Sequence, residues 1–191
     1  EISGLSALSR NLGGSVGISM ATAVLEVATE ALADEGGPVQ AVGIANQRAS
    51  SIVWERATGK PVGPGIGWQD LRTVGKCLEL QADGIRLAPN ASATKLAALL
   101  DMADPDRSRS EAGELCFGTI ESYLLWRLTG GKAHLSDATN ASRTMLFDIH
   151  NQRWDPEILR LLDIPAAILP KVVDNFGDYG AAESSLLGMP I

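Results

Sequence analysis

Val39-Gln40-Ala41-Val42-Gly43-Ile44-Ala45-Asn46-Gln47-Arg48-Ala49-Ser50-Ser51-Ile52-Val53-Trp54-Glu55 combines two apolar runs with a polar cluster between them. Its first seven residues are apolar and partly β-branched, so a buried strand is expected over 39–45. A second strand is expected over 51–55, with Thr58-Gly59-Lys60-Pro61 as the turn behind it. The polar Asn46-Gln47-Arg48 then falls at the carboxyl end of the first strand, a common place for a ligand. Arg48 offers five donors in a fixed fork, which suits hydroxyls or a carboxylate. The plainer alternative is a capped strand end with Arg48 in a surface ion pair.

Upstream, residues 1–18 are rich in Gly and Ser, without a period, and are expected as loop or the remains of an edge strand. Strong helix formers follow over 19–34, with Val24, Leu25, Val27, Ala28, Ala31 and Leu32 on one apolar face, and Gly36-Gly37-Pro38 stops that helix. Downstream, a third extended piece ends at Trp68, and Asp70 is expected to cap a helix reaching Ala82. A further helix is expected over 91–102, with a break at Asp104-Pro105-Asp106 and a short buried piece at Leu115-Cys116-Phe117. An amphipathic helix over 119–128 closes on Gly130-Gly131. The small polar residues from Ser136 to Thr144 read as a folded loop held by its own side-chain hydrogen bonds. Asp155-Pro156 opens another helix, ending near Asp163. Strands and helices mix without strict βαβ alternation, which points to an α/β domain with a mixed sheet.

The chain has 191 residues, 45% of them hydrophobic and 20% charged, with a net charge of -7. That is a globular composition able to bury a core. The acidic balance argues against a nucleic-acid partner, which is met with a Lys/Arg excess. No stretch approaches the ~20 apolar residues that cross a bilayer, so no membrane role is expected. Cys77 and Cys116 are too few for a disulfide framework or a zinc site and read as reduced core residues of a cytoplasmic protein. His134 and His150 lack a nearby ligand set, so no metal is assigned. Neither terminus reads as a natural start or stop, and the chain is expected to be a piece of something longer.

Gly67-Trp68-Gln69-Asp70-Leu71-Arg72-Thr73 stands at a strand-to-helix junction. A Trp beside an amide and a carboxylate can pack on the apolar face of a sugar ring while its neighbours take the hydroxyls. A core Trp with Asp70 capping the helix is the simpler alternative. Neither Phe117–Gly131 nor Ser136–Thr144 shows a nucleophile with its base.

In this order the phrases resemble the FGGY carbohydrate kinases, most of all the glycerol kinases among them. The phrases are Asn46-Gln47-Arg48, Trp54, Thr58-Gly59-Lys60-Pro61, Trp68-Gln69-Asp70, Phe117-Gly118-Thr119 through Trp126, Asp137-Ala138-Thr139-Asn140-Ala141-Ser142-Arg143-Thr144, and Leu162-Asp163-Ile164-Pro165. The resemblance covers roughly residues 39–180 and implies an actin-like (ribonuclease H-like) ATPase fold, a mixed sheet flanked by helices. Residues 1–191 then form a partial N-terminal domain. The family's Asp-x-Gly-Thr phosphate loop is expected before Glu1, and the Gly-Asp-Gln segment with the catalytic Asp after Ile191. No catalytic residue is therefore assigned within the chain, which is expected to be inactive alone.

The implied chemistry is ATP- and Mg2+-dependent phosphoryl transfer to a hydroxyl of a small sugar or polyol. Arg48 matches the family's hydroxyl-binding Arg, with Trp68, Gln69 and Asp70 assigned beside it. Ala49 stands where glycerol kinases carry a Glu that also holds the polyol. Asn90 stands at the position of their polyol-contacting Tyr, within a signature around Ser92 and Lys95 that usually also has a Trp at the position of Ala98. These departures imply a roomier pocket and an acceptor other than glycerol. A kinase-derived, non-catalytic binding or scaffold domain is the alternative, and a homo-oligomer stays open.

Overall fold

The computed structural model describes residues 42–184 and 190–191. The helix expected over 19–34 and the first three residues of the strand expected over 39–45 lie outside them.

Strand β1 (Ile52–Glu55) pairs antiparallel with β2 (Leu115–Gly118), placing Val53 opposite Phe117 and Trp54 opposite Cys116. Alternate side chains of a strand point to opposite faces, so this ribbon serves two cores. Val53, Leu115 and Phe117 enter the larger one, with Ile66, Leu80, Leu96, Leu99, Leu100, Leu146 and Ile168. Trp54 and Cys116 face the other way, into a small aromatic core with Tyr123 and Trp126. Both cysteines are buried and free, and burial pushes the Cys116 thiol up to about 11.

Helices α1 (Val74–Ala82) and α2 (Ala93–Ala103) line the larger core, the latter through Leu96, Leu99 and Leu100. Arg107, left-handed at φ 59, turns the chain into the single-turn α3 (Ser108–Glu111). Helix α4 (Ile120–Leu128) closes the aromatic core. Its end is a Schellman turn: Gly131 N–H donates to the Trp126 carbonyl (2.8 Å) and Gly130 N–H to that of Arg127 (3.2 Å), both glycines at positive φ. Strand β3 (Leu135–Asp137) leads into α5 (Ala138–Ser142) and pairs parallel with β6 (Lys171–Val173). Between them come the short antiparallel pair β4 (Phe147–Asp148) and β5 (Arg153–Trp154), then α6 (Pro156–Leu161) and a 3-10 turn at Ala166–Ile168.

The α/β class and mixed pairing are as expected, with the described strands grouped as three two-stranded pairs. Three local expectations are corrected. Residues 42–45 join no strand; their exposure alternates with a period of two, and Val42 N–H bonds the Pro190 carbonyl. Asp70 does not cap α1, which starts four residues later behind two turns closed by Asp70 N–H on Gly67 and Val74 N–H on Leu71. The Asp70 carboxylate instead takes the backbone N–H and guanidinium of Arg72. The stretch 136–144 holds a short strand and a helix, though its side-chain bonding is as expected. Asp137 caps α5 on Asn140 N–H (2.9 Å) and also binds the Asn140 amide (2.6 Å). Asp155 caps α6, with Pro156 in its first turn.

Candidate functional site

Two buried side chains of the second helix region draw the expected site segments together. Ser92, just before α2, donates its hydroxyl to the Ala49 carbonyl (3.1 Å). One turn on, Lys95 donates its ammonium to the carbonyls of Gly67 (2.9 Å) and Trp68 (2.8 Å). Trp68 N–H returns to the Ser50 hydroxyl (3.3 Å). The segments that carry Arg48 and Ala49, Trp68 to Asp70, and Asn90 thus form one ring of contacts around the start of α2.

Within that ring Arg48 is exposed and, among the described residues, has no ion-pair partner. Ala49 is buried and left-handed at φ 65, a conformation that disfavours a Cβ. Its carbonyl is fixed by Ser92 and, at 3.4 Å, by Ser51. Trp68 is 38% exposed, so it is not the core residue of the simpler alternative. Gln69 and Asn90 are exposed. Asp70 is engaged by Arg72, whose hydrogen bonds hold its carboxyl below the usual range. Two open grooves lie elsewhere, and none of these six residues lines either of them. Ala98 borders the larger groove, of about 440 Å³, between α1, α2 and α6.

A second hub is Glu121, buried near the start of α4. Its carboxylate accepts from the Asn46 amide (2.7 Å), the Ser136 hydroxyl (2.8 Å) and the Thr119 hydroxyl. Burial raises its pKa, opposed by the Thr119 and Ser136 hydroxyls. Asn46 stands two residues before Arg48, so this carboxylate ties the Arg48 segment to β3 and to the end of β2. Sequence reasoning missed Glu121 and gave Lys95 no role. A charged residue inside a largely apolar helical stretch was the available signal for Glu121.

His134 packs against the aromatic core. Its Nε2 lies 2.8 Å from the Phe117 carbonyl and its ring meets Trp54 edge-on. Burial lowers its pKa to about 4. A histidine in an unfolded chain titrates near 6.5. Between pH 6.5 and about 4 the unfolded chain therefore binds a proton that the folded one refuses, and stability falls as pH falls through that window, by about 1.4 kcal/mol per pH unit for one such group. Glu121 acts oppositely above pH 4.5, so the comparison must be with a variant. In chemical denaturation from pH 7.5 to 5, His134→Asn is expected to lose less stability on acidification than the unsubstituted chain. Parallel curves would show that His134 titrates normally.

Among the described residues no group of three or more His, Cys, Asp and Glu could hold a metal ion, and no helix is long and apolar enough to cross a membrane.

The family model for the N-terminal domain of FGGY carbohydrate kinases matches residues 19–189. The chain belongs to the FGGY carbohydrate kinases. A glycerol kinase of Methylobacterium nodulans is 50% identical over an alignment of 163 residues that covers 80% of this chain and 32% of that protein. In structure, the chain superposes on a Plasmodium falciparum glycerol kinase crystallised with ADP, with a TM-score of 0.81 and 28% identity over 89% of this chain and 37% of that one. A ligand-bound xylulose kinase from Lactobacillus acidophilus matches with a TM-score of 0.70 at 21% identity, over 87% and 36% of the two chains, and supports the fold alone. These neighbours have the actin-like ATPase fold of the FGGY family, as expected for this chain. The chain spans about a third of the length of the curated relatives it matches.

Proposed function

We propose that the FGGY protein carrying this chain transfers the terminal phosphoryl group of ATP, with Mg2+, to a hydroxyl of a small sugar or polyol, and that it works in the cytoplasm. Residues 1–191 then contribute part of the N-terminal domain and its share of the acceptor site. Arg48 carries the reading. It is an exposed guanidinium, without an ion-pair partner among the described residues, on a segment tied from both sides by Ser92 and Glu121. Such a fork is preorganised to donate to acceptor hydroxyls. Half-exposed Trp68 offers a ring face for the apolar side of the same acceptor, with Gln69 and Asn90 as neutral polar neighbours and Asp70 held on Arg72. With Ala at 49 and Asn at 90, the site lacks the carboxylate and the aromatic side chain that the resemblance to glycerol kinases implies at those two positions, which favours an acceptor larger than glycerol.

These residues bind and orient the acceptor; none of them is assigned the proton transfer. The test is a coupled kinase assay of the full-length protein against polyols, ketoses and aldoses, followed by Arg48→Ala on the best acceptor. The acceptor KM is expected to rise about tenfold or more, as for loss of a charged hydrogen bond, with the ATP KM little changed. Equal effects on both would remove Arg48 from the acceptor site. Turnover confined to glycerol would overturn the reading of Ala49 and Asn90.

A further inference from the structure

Lys95 stands apart in the described structure. It is 0% exposed, a rare state for a lysine without a paired carboxylate. Among the described residues its ammonium bonds no side chain. Both its hydrogen bonds go to main-chain oxygens, of Gly67 and Trp68. Burial lowers its pKa, and the charge of Asp70 opposes that shift.

Successive carbonyls of an extended chain point in opposite directions. Two neighbouring carbonyls can reach one ammonium only where the chain bends. The bend is present: Asp70 N–H bonds back to the Gly67 carbonyl at 3.1 Å. Residues 67–70 are thus a turn with Lys95 as its plug, and this turn carries Trp68, Gln69 and Asp70. An apolar side chain in place of the plug would leave the Trp68 carbonyl without its donor and the Gly67 carbonyl with the Asp70 N–H alone. The same helix turn places Ser92 on the Ala49 carbonyl.

We propose that Lys95 is a positioning residue for the acceptor site: from α2 it holds the Gly67–Asp70 turn so that the Trp68 ring and Gln69 face the same acceptor as Arg48. This rests on the acceptor reading above. It makes Lys95 act through main-chain geometry, without touching substrate, and it makes α2 the element that couples the two halves of the site.

The experiment compares Lys95→Met, Lys95→Gln and a core control, Leu96→Ala, in the full-length protein. Leu96 is equally buried one residue away and packs in the larger core. The first readout is amide hydrogen exchange. Lys95→Met is expected to speed exchange about tenfold or more in peptides over 66–72, with no change over 115–118, since one hydrogen-bonded anchor is worth about a factor of ten. Lys95→Gln, which keeps donors but loses the charge, is expected to show a smaller local effect, and it carries the comparison if the Met variant does not fold. Leu96→Ala is expected to raise exchange without singling out 66–72. The second readout is kinetic. Lys95→Met is expected to raise the acceptor KM severalfold with the ATP KM unchanged, while Leu96→Ala shifts neither. Unchanged exchange over 66–72, exchange raised equally everywhere, or the same KM pattern in Lys95→Met and Leu96→Ala would each overturn the proposal. If no acceptor is phosphorylated, the function proposed above fails, and the exchange comparison still decides whether Lys95 holds the turn.

Discussion

Trp54→Ala is expected to lower the unfolding free energy by about 3–5 kcal/mol, the range for truncating a large buried aromatic. Trp54 is 0% exposed. Its ring makes edge-on contacts with Tyr123 (4.9 Å), His134 (5.3 Å) and Trp126 (6.2 Å), so its loss strips one partner from three aromatics at once. The site cannot readily collapse. Gly118 lies so close that a Cβ there would come within 2.9 Å of the Trp54 ring and 2.7 Å of the Ser122 side chain. Tyr123 is tethered through its hydroxyl to the Gly59 carbonyl (2.7 Å). Among the described residues the indole N–H has no partner, so Trp54→Phe is expected to cost much less than alanine. Urea unfolding followed by circular dichroism measures both. Half-exposed Trp68→Ala is expected to stay within about 1 kcal/mol of the unsubstituted chain. A loss below about 1 kcal/mol for Trp54→Ala would show that the aromatic core repacks.

Glu121→Leu is expected to cost about 3 kcal/mol or more. It leaves the buried Thr119 and Ser136 hydroxyls without this acceptor, each costing about 1–3 kcal/mol, and takes one partner from the half-buried Asn46 amide. Glu121→Gln separates charge from hydrogen bonding. Its retained oxygen can take both hydroxyls, and Asn46 can turn its amide to present oxygen to the new NH2. The Gln variant is therefore expected to lose about 1 kcal/mol or less, read by the same urea titration. Equal losses for Leu and Gln would mean that the negative charge, and not the acceptor count, holds the hub. Because Asn46 leads into Arg48, Glu121→Leu is also expected to raise the acceptor KM in the full-length protein.

The elements most legible in the sequence were those with local causes. Asp155-Pro156 announces α6 because an Asp cap and a Pro in the first turn satisfy or dispense with the N–H groups that a helix leaves free there. Gly130-Gly131 announces the end of α4 because the closing turn needs positive φ. Asp70 misled for the same reason in reverse. It has the composition of a cap, but the turn held by Lys95 and the guanidinium of Arg72 engage it first, so α1 starts at Val74.

Taken alone, the sequence carried the α/β class, the helices α1, α2, α4 and α6, the buried piece Leu115-Cys116-Phe117 and the kinase family. All of these rest on period, capping chemistry or motif order, which are properties of neighbouring residues. The tertiary structure alone brought the Ala49 and Trp68 segments together on Ser92 and Lys95 and anchored Asn46 on Glu121. Those contacts join residues as many as 75 positions apart. A buried polar side chain takes whatever donor or acceptor the fold brings within about 3 Å, and no local pattern in the chain records which one that is.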